Sequence, residues 1–386
     1  MSAFPLRLAA LLLSVPLIAF GQEGAPPQAP APAKRELPAV AEYEANLQQV
    51  SETADLLQLA GELRQAGDLE RELLVWKRLS ALRPHLGAYR YELAAAQAQL
   101  GRKSEAYTTL LEMQMTGFAH VLSEDERFAK VADTDAWRYV VEGFDRNRDA
   151  FGEGRVVHTL PKQDLLIESL AWDPSRSRLL VGSVREGKVY SVESDGRLKP
   201  LVEATAQNGM WGVFGIAVDA ERDTLWVAST ALPHYQGYNA ERDLGKAGIF
   251  KFELSTGKFI KSFLSPVVAG QGFMMASIAV AKDGSVYALD AVNNAIYQVR
   301  DDNLRRILHG PHLAGIRGLT VNDAGTRLYF SDVERGIFGV DLANGQPFDV
   351  AVPTRLTLAG IESLAYWDGH LIAVQNGLPP NRIMRL

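Results

Sequence analysis

One short sequence phrase recurs five times in the C-terminal part of this chain, and it restricts the possible folds more than any other feature. The copies begin at Ile167, Val213, Met275, Ile316 and Ile361. Each copy contains two apolar stretches joined by a turn such as Asp-Pro-Ser or Lys-Asp-Gly, and a third apolar stretch follows. Repeats of about 40 to 50 residues with several strands each are typical of β-propeller blades. The sequence therefore predicts an all-β propeller over residues 155–386.

The composition of the first predicted strand in each blade agrees with this architecture. Small residues stand at its centre, for example Ala171, Ala217 and Ala279, which suits the crowded middle of a radial array of sheets. No helical pattern separates the strands, so a parallel doubly wound sheet is not expected.

A different period occupies residues 41–150. Leu59-Ala60 recurs as Leu93-Ala94, and Gly67 recurs as Gly101, in each case 34 residues later. Pro84 follows the second predicted helix, which it cannot continue. This spacing resembles that of tetratricopeptide repeats, across about two units. The expectation is an α-helical repeat domain that precedes the propeller and docks a partner protein.

The N-terminus has the three-part pattern of a signal peptide over residues 1–21. Arg7 precedes an apolar run that ends at Phe20, and the run is too short to span a bilayer. An uncleaved anchor or a buried helix is the alternative. Residues 22–40 are rich in Pro and Ala and are expected to form an extended linker. The mature protein is therefore predicted to be periplasmic or secreted, with no membrane span.

Composition excludes several classes of function. The chain of 386 residues has a formal net charge of −6, which offers no basic surface for nucleic acid. It contains no cysteine, so disulfides, thiolate nucleophiles, cysteine-based zinc sites and iron–sulfur clusters are excluded.

The first copy of the phrase carries a family resemblance. Ile-Glu-Ser-Leu-Ala-Trp-Asp, followed by Leu-Leu-Val-Gly-Ser and Lys-Val-Tyr, resembles the opening blade of the regucalcin/gluconolactonase (senescence marker protein) family. The resemblance covers residues 164–386 and implies six blades, whereas five copies are visible. One interpretation is a truncated chain whose last blade is missing, and we favour it. The other is that residues 155–160 supply an outer strand that closes a five-bladed ring.

The resemblance also implies a site at one mouth of the propeller, where the second residue of every copy lies. These residues are Glu168, Phe214, Ala276, Arg317 and Glu362. Lactonases of the family hold a divalent metal there with a Glu in the first blade, an Asn in the fourth and an Asp in the fifth. Glu168 matches the Glu, and Glu362 offers a carboxylate in place of the Asp. Ala276 replaces an Asn that faces the substrate.

Arg317 stands where the Asn ligand is expected, and a guanidinium cannot ligate a metal ion. We therefore favour a cluster in which Arg317 pairs with Glu168 and Glu362 in place of a metal. The alternative is a retained calcium or zinc ion held by the two glutamates.

Further candidate ligand-binding residues follow the second strand of a blade or lie in a long insertion. Asp290, Asp332 and Asn376 belong to the first group, although such aspartates more often cap turns. His234 and Tyr235 belong to the insertion at 230–248, which can form a lid over the mouth.

Two functions stay open at this point. The first is a binding module that holds a small polar ligand or a peptide at the mouth, with no required cofactor. The second is a metal-dependent lactonase or related hydrolase, as the resemblance implies. A purely structural scaffold is a third possibility, and whether the protein is an enzyme stays undecided.

Overall fold

The computed structural model describes residues 38–268, 270–351 and 356–386. The predicted signal peptide (1–21) and nearly all of the predicted linker (22–40) lie outside the described residues. Residues 40–386 form one unit, in which a helical region precedes an all-β propeller of five blades. The predicted fold class is confirmed.

The helical region contains six α-helices in the described part of the chain. They are α1 (Val40–Leu47), α2 (Thr53–Ala66), α3 (Leu69–Leu82), α4 (Gly87–Gln99), α5 (Lys103–Met115) and α6 (Asp135–Arg148), with 3₁₀ turns at Leu122–Glu124 and Glu126–Phe128. The starts of α2 and α4 are 34 residues apart, as are those of α3 and α5. The recurrence in the sequence therefore reports a repeated pair of helices.

Two residue types explain why these pairs form where they do. Ala60 and Ala94 are buried between helices, where a larger side chain would separate them. Gly67 and Gly101 adopt the left-handed conformation (φ 71° and 73°) after α2 and α4, and they turn the chain into the next helix.

The propeller consists of five antiparallel sheets, each of which starts with an inner strand. Blade 1 contains β1 (Ile167–Asp173), β2 (Arg178–Ser183), β3 (Lys188–Val192) and β4 (Leu198–Glu203); blade 2 contains β5 (Gly212–Asp219), β6 (Thr224–Thr230), β7 (Ala247–Glu253) and β8 (Phe259–Leu264), with the short helix α7 (Ala240–Asp243) between β6 and β7; blade 3 contains β9 (Met275–Val280), β10 (Val286–Asp290), β11 (Ala295–Arg300) and β12 (Asn303–His309); blade 4 contains β13 (Ile316–Val321), β14 (Arg327–Asp332), β15 (Gly336–Asp341) and β16 (Pro347–Asp349); blade 5 contains β17 (Ile361–Trp367), β18 (His370–Gln375) and β19 (Arg382–Arg385). The inner strands are the recurring phrase of the sequence.

Successive inner strands pack side by side around the axis. The strands β1, β5, β9, β13 and β17 contact one another in that order. The fourth residue of each phrase points toward the preceding blade, and it is nearly buried in blades 2 to 5. These residues are Ile216 (7% exposed), Ile278 (7%), Leu319 (3%) and Leu364 (7%). The alternation of sides along a strand thus turns the repeated sequence into repeated interfaces between blades.

The ring of blades is not closed by packing of blade 5 against blade 1. Leu170, the fourth residue of the first phrase, is 70% exposed, and no extensive contact joins β17 to β1. The interpretation that residues 155–160 complete the last blade is wrong. These residues form no strand, and Leu160 packs instead against Val181 and Tyr190 of blade 1. The linker follows blade 1 because apolar side chains of that blade would otherwise face water.

The last residue of each second strand has one recurring structural role. Its side chain bonds to the backbone one or two residues before the inner strand. The five contacts are Ser183 Oγ to Leu165 O, Trp211 N to Ser229 Oγ, Met274 N to Asp290 Oδ1, Ala314 N to Asp332 Oδ2 and Gln375 Nε2 to Ala359 O. These bonds fix where every inner strand begins, and so they position the mouth.

The helical region packs on the face of the propeller where the inner strands begin. Arg83 Nε donates to Glu334 Oε2 at 3.1 Å, and Thr357 Oγ1 donates to the carbonyl of His85 at 2.7 Å. Arg382, whose pKa is lowered by burial, donates to the carbonyl of Gly117 at 2.8 Å. The contacts on the propeller side belong to blades 4 and 5, so the helices lie beside the mouth.

Within the described residues, none of the helices combines the length and apolar character that crossing a membrane would require.

Replacement of Asp332 by Ala tests the role of the strand-end side chains. Asp332 is fully buried and accepts four backbone N–H groups, from Ala314, Gly315, Glu334 and Arg335. Because the variant leaves these donors without an acceptor, we expect the free energy of unfolding to fall by about 3 kcal/mol in urea denaturation. The control is Asp323→Ala, at an exposed turn of the same blade, which is expected to change it by less than about 0.5 kcal/mol. Equal losses in both variants would contradict this role.

Candidate functional site

The mouth of the propeller is defined by the second residue of each inner strand, and a β-bulge exposes this residue in every blade. In blade 1 the pairing moves from Ile167 opposite Ser183 to Ser169 opposite Gly182, so Glu168 has no partner in the ladder. The register shifts at the corresponding point in the other four blades. Bulges re-aim side chains and are common beside functional sites. The sequence alone does not reveal them, because they depend on the pairing register.

Glu168 is an exposed carboxylate that forms no ion pair or hydrogen bond with the described residues. Local desolvation raises its pKa, and the negative charge of Glu362 raises it further. The nearby His234 acts in the opposite direction and lowers it. Glu168 is therefore coupled by charge to a second blade and to the blade 2 insertion, while its oxygens stay available.

Arg317 and Glu362 form the one ion pair of the mouth within the described residues. Arg317 Nε lies 3.5 Å from Glu362 Oε2, and both side chains are partly exposed. Arg317 Nη1 donates to the carbonyl of Ile316 at 3.0 Å, which holds the guanidinium close to its own strand. Of the two ion pairs predicted for the Glu168–Arg317–Glu362 cluster, the structure contains only the one with Glu362.

The remaining members of the second-position ring are apolar. Phe214 is 8% exposed, and Ala276 is partly buried. The mouth thus combines two carboxylates and a guanidinium with an aromatic side chain beside them.

The insertion in blade 2 is held against blade 1. Gln236 N donates to the carbonyl of Arg185, and Arg185 Nη1 donates to the carbonyl of His234. Tyr235 is partly buried in the core between blades 1 and 2, and burial raises its pKa. His234 is exposed. The loop therefore places an imidazole near Glu168, whereas Tyr235 has a packing role.

Asp243, which sequence reasoning did not single out, organises this insertion. It is 2% exposed, accepts the backbone N–H of Asn239 at 3.0 Å and pairs with Arg242 at 2.7 Å. The bond from Arg242 holds the pKa of Asp243 at about 2. The Asn-Ala-Glu-Arg-Asp sequence begins with a helix cap at Asn239, a signal that local inspection can detect.

The candidate residues at the ends of the second strands separate into two kinds. Asp290 and Asp332 are fully buried, and backbone N–H groups occupy their oxygens. Neither offers surface to a ligand in this structure. Asn376, in contrast, is exposed.

The residues of the mouth do not fit the metal set that the family resemblance implies. In the described part of the chain, no three His, Asp or Glu side chains come together so that they could hold a metal ion. Glu168 and Glu362 supply two carboxylates, but the cationic Arg317 lies against one of them. A guanidinium in this position repels a divalent ion.

Comparisons with known proteins give a likeness in fold only. No family model matches the chain, and no curated protein matches it. A protein of unknown function from Bacteroides thetaiotaomicron has 15% sequence identity and a TM-score of 0.39, over 53% of this chain and 55% of that chain. A gluconolactonase from Xanthomonas campestris has 18% identity and a TM-score of 0.38, over 54% of this chain and 69% of that chain. The chain thus spans about half the length of the first, and no activity follows from either likeness.

The electrostatic coupling at the mouth predicts two opposite shifts in the pKa of Glu168. Glu362→Gln removes a like charge and should lower this pKa, whereas His234→Ala removes the opposing influence and should raise it. NMR titration of the ¹³C-labelled side-chain carboxyl of Glu168 measures both. Glu221→Gln, in an exposed turn at the other end of the blades, serves as the control and should leave the pKa unchanged. A pKa that ignores both mouth variants would contradict the coupling.

Proposed function

We propose that the protein is an exported binding module that holds a small polar molecule or a peptide at the mouth of its propeller. The observation that carries this proposal is the exposed, unpaired carboxylate of Glu168, set in a bulge beside the Arg317–Glu362 pair. A carboxylate with free oxygens is a strong acceptor for hydroxyl, amide or ammonium donors.

The chemistry of the mouth indicates what a ligand should carry. Glu168 favours hydrogen-bond donors or a positive charge, and Arg317 can donate to an acceptor group on the same molecule. Phe214 supplies an apolar contact beside these polar groups. A ligand with donors at one end and an acceptor at the other, such as a sugar acid, an amino acid or a short peptide, meets these requirements.

The helical region is proposed to dock a partner protein in the manner of tetratricopeptide repeats. Two features support this assignment: the 34-residue recurrence of the helix pairs and the left-handed glycines at equivalent turns. Because the helices contact blades 4 and 5 beside the mouth, a docked partner would sit close to the ligand. Localisation in the periplasm or outside the cell belongs to the same proposal and rests on the N-terminal sequence.

Isothermal titration of the purified protein with sugar acids, amino acids and short peptides tests the binding function. Loss of a charged hydrogen bond is worth about 1.5 to 3 kcal/mol, so Glu168→Gln should weaken binding roughly ten- to hundredfold. The matched control Glu221→Gln, away from the mouth, should leave the affinity unchanged. Equal affinity in both variants would place the ligand elsewhere.

One observation favours the second candidate function, a metal-dependent lactonase. The mutual influence of Glu168 and Glu362 brings two carboxylates under one local field, which a divalent cation would relieve. Its residues would polarise a lactone carbonyl only if Arg317 moved away from Glu362. Thermal stabilisation by calcium, manganese or zinc that is lost in Glu168→Gln, together with lactone hydrolysis, would overturn the binding module in favour of this enzyme.

A further inference from the structure

The sequence Ile-Glu-Ser-Leu-Ala occurs twice, at 167–171 in β1 and at 361–365 in β17. In blade 1 the Ser and Ala side is covered, since Ala171 packs into the core that includes Val213 and Ile216 of blade 2. In blade 5 it is the Leu side that is covered, since Leu364 packs with Ile337 of blade 4. Each copy therefore has one covered side, and the two covered sides are opposite.

The uncovered sides are the two walls of one open sector. The wall on blade 1 contains Leu170 (70% exposed) and Trp172 (53%). The wall on blade 5 contains Ala365, Trp367 (61%) and Ile383 (75%). Equivalent positions in the interior of the ring are buried, so these residues are exposed by their place in the ring rather than by their type.

A free strand edge adjoins the wall of blade 5. Blades 1 to 4 each have a fourth strand paired to the third, whereas the described part of blade 5 ends its sheet at β19. The outer edge of β19 presents unpaired backbone N–H and C=O groups, which accept a further strand. The sector therefore offers both apolar cover and a ladder of hydrogen bonds.

We propose that the open sector between blades 5 and 1 is a docking site for a β-sheet element of a partner protein, whose first contact is a strand added to the edge of β19. The four interfaces between blades define the chemistry of this element. The side facing blade 5 carries aliphatic residues, as blade 2 does toward the same Ile-Glu-Ser-Leu-Ala strand with Val213, Ile216 and Leu225. The side facing blade 1 is also apolar, because it covers Leu170 and Trp172.

A blade-like sheet fits these walls better than other occupants. Adjacent sheets pack face to face about 10 Å apart, and every other space between blades of this protein is filled in that way. A lone helix would cover the walls but would leave the edge of β19 unpaired.

A fluorescein-labelled peptide that copies the β5–β6 hairpin of this protein (Gly212–Thr230) is the probe. It carries the side chains that cover the Ser and Ala side of the strand in blade 1. We expect saturable binding to the full chain in fluorescence anisotropy, weakened at least about tenfold by Ala365→Arg or Leu170→Arg. The control variant Leu244→Arg, at a residue 77% exposed in the blade 2 insertion, should bind as the wild type does.

Two results would overturn the proposal. One is the absence of saturable binding, or equal binding by all three variants. The other is self-association in sedimentation velocity that Ala365→Arg abolishes and Leu244→Arg does not, because a second copy of the chain would then fill the sector. All three substitutions lie at exposed positions, and circular dichroism confirms that each variant is folded before binding is measured.

Discussion

Every inner strand of this propeller has two sides, and each side needs apolar cover from a neighbouring blade. This single constraint explains the repeated sequence, the order of the blades and the place where order stops. Ile216, Ile278, Leu319 and Leu364 are covered, whereas Leu170 in the same position of the first blade is not. The propeller is thus held together by a chain of equivalent interfaces that has two open ends.

The mouth depends on the same strands. Strand-end side chains such as Ser183, Asp332 and Gln375 fix where the inner strands begin, and the bulges then turn the second residue out of the ladder. Glu168 consequently keeps free oxygens at a rigid position, and Arg317 and Glu362 neutralise each other beside it. The helical region lies against blades 4 and 5 at this face. Ligand capture and partner docking can therefore occur side by side.

The sequence predicts the repeated parts well because periodicity is a local property. The starts of the five inner strands and the 34-residue recurrence of the helices are confirmed by the elements of the structure. Packing across the chain is not local, so residues 155–160 were wrongly considered as a closing strand, although they follow blade 1. The bulge at Glu168 and the role of Arg185 in holding the insertion also depend on register and contact. The Glu168–Arg317–Glu362 hypothesis found the right neighbourhood but one ion pair too many.

The absence of cysteine from the chain allows a direct measurement of the open ring. Ala365 and Ala279 occupy the same position of the repeat, and only Ala365 is exposed, whereas Ala279 is 8% exposed. In native protein, the thiol of Ala365→Cys should react with a maleimide as rapidly as a thiol in an unfolded chain. The thiol of Ala279→Cys should stay protected until the protein is denatured. Equal protection of both thiols would mean that blade 5 is covered on both sides, and it would contradict the open ring on which this account rests.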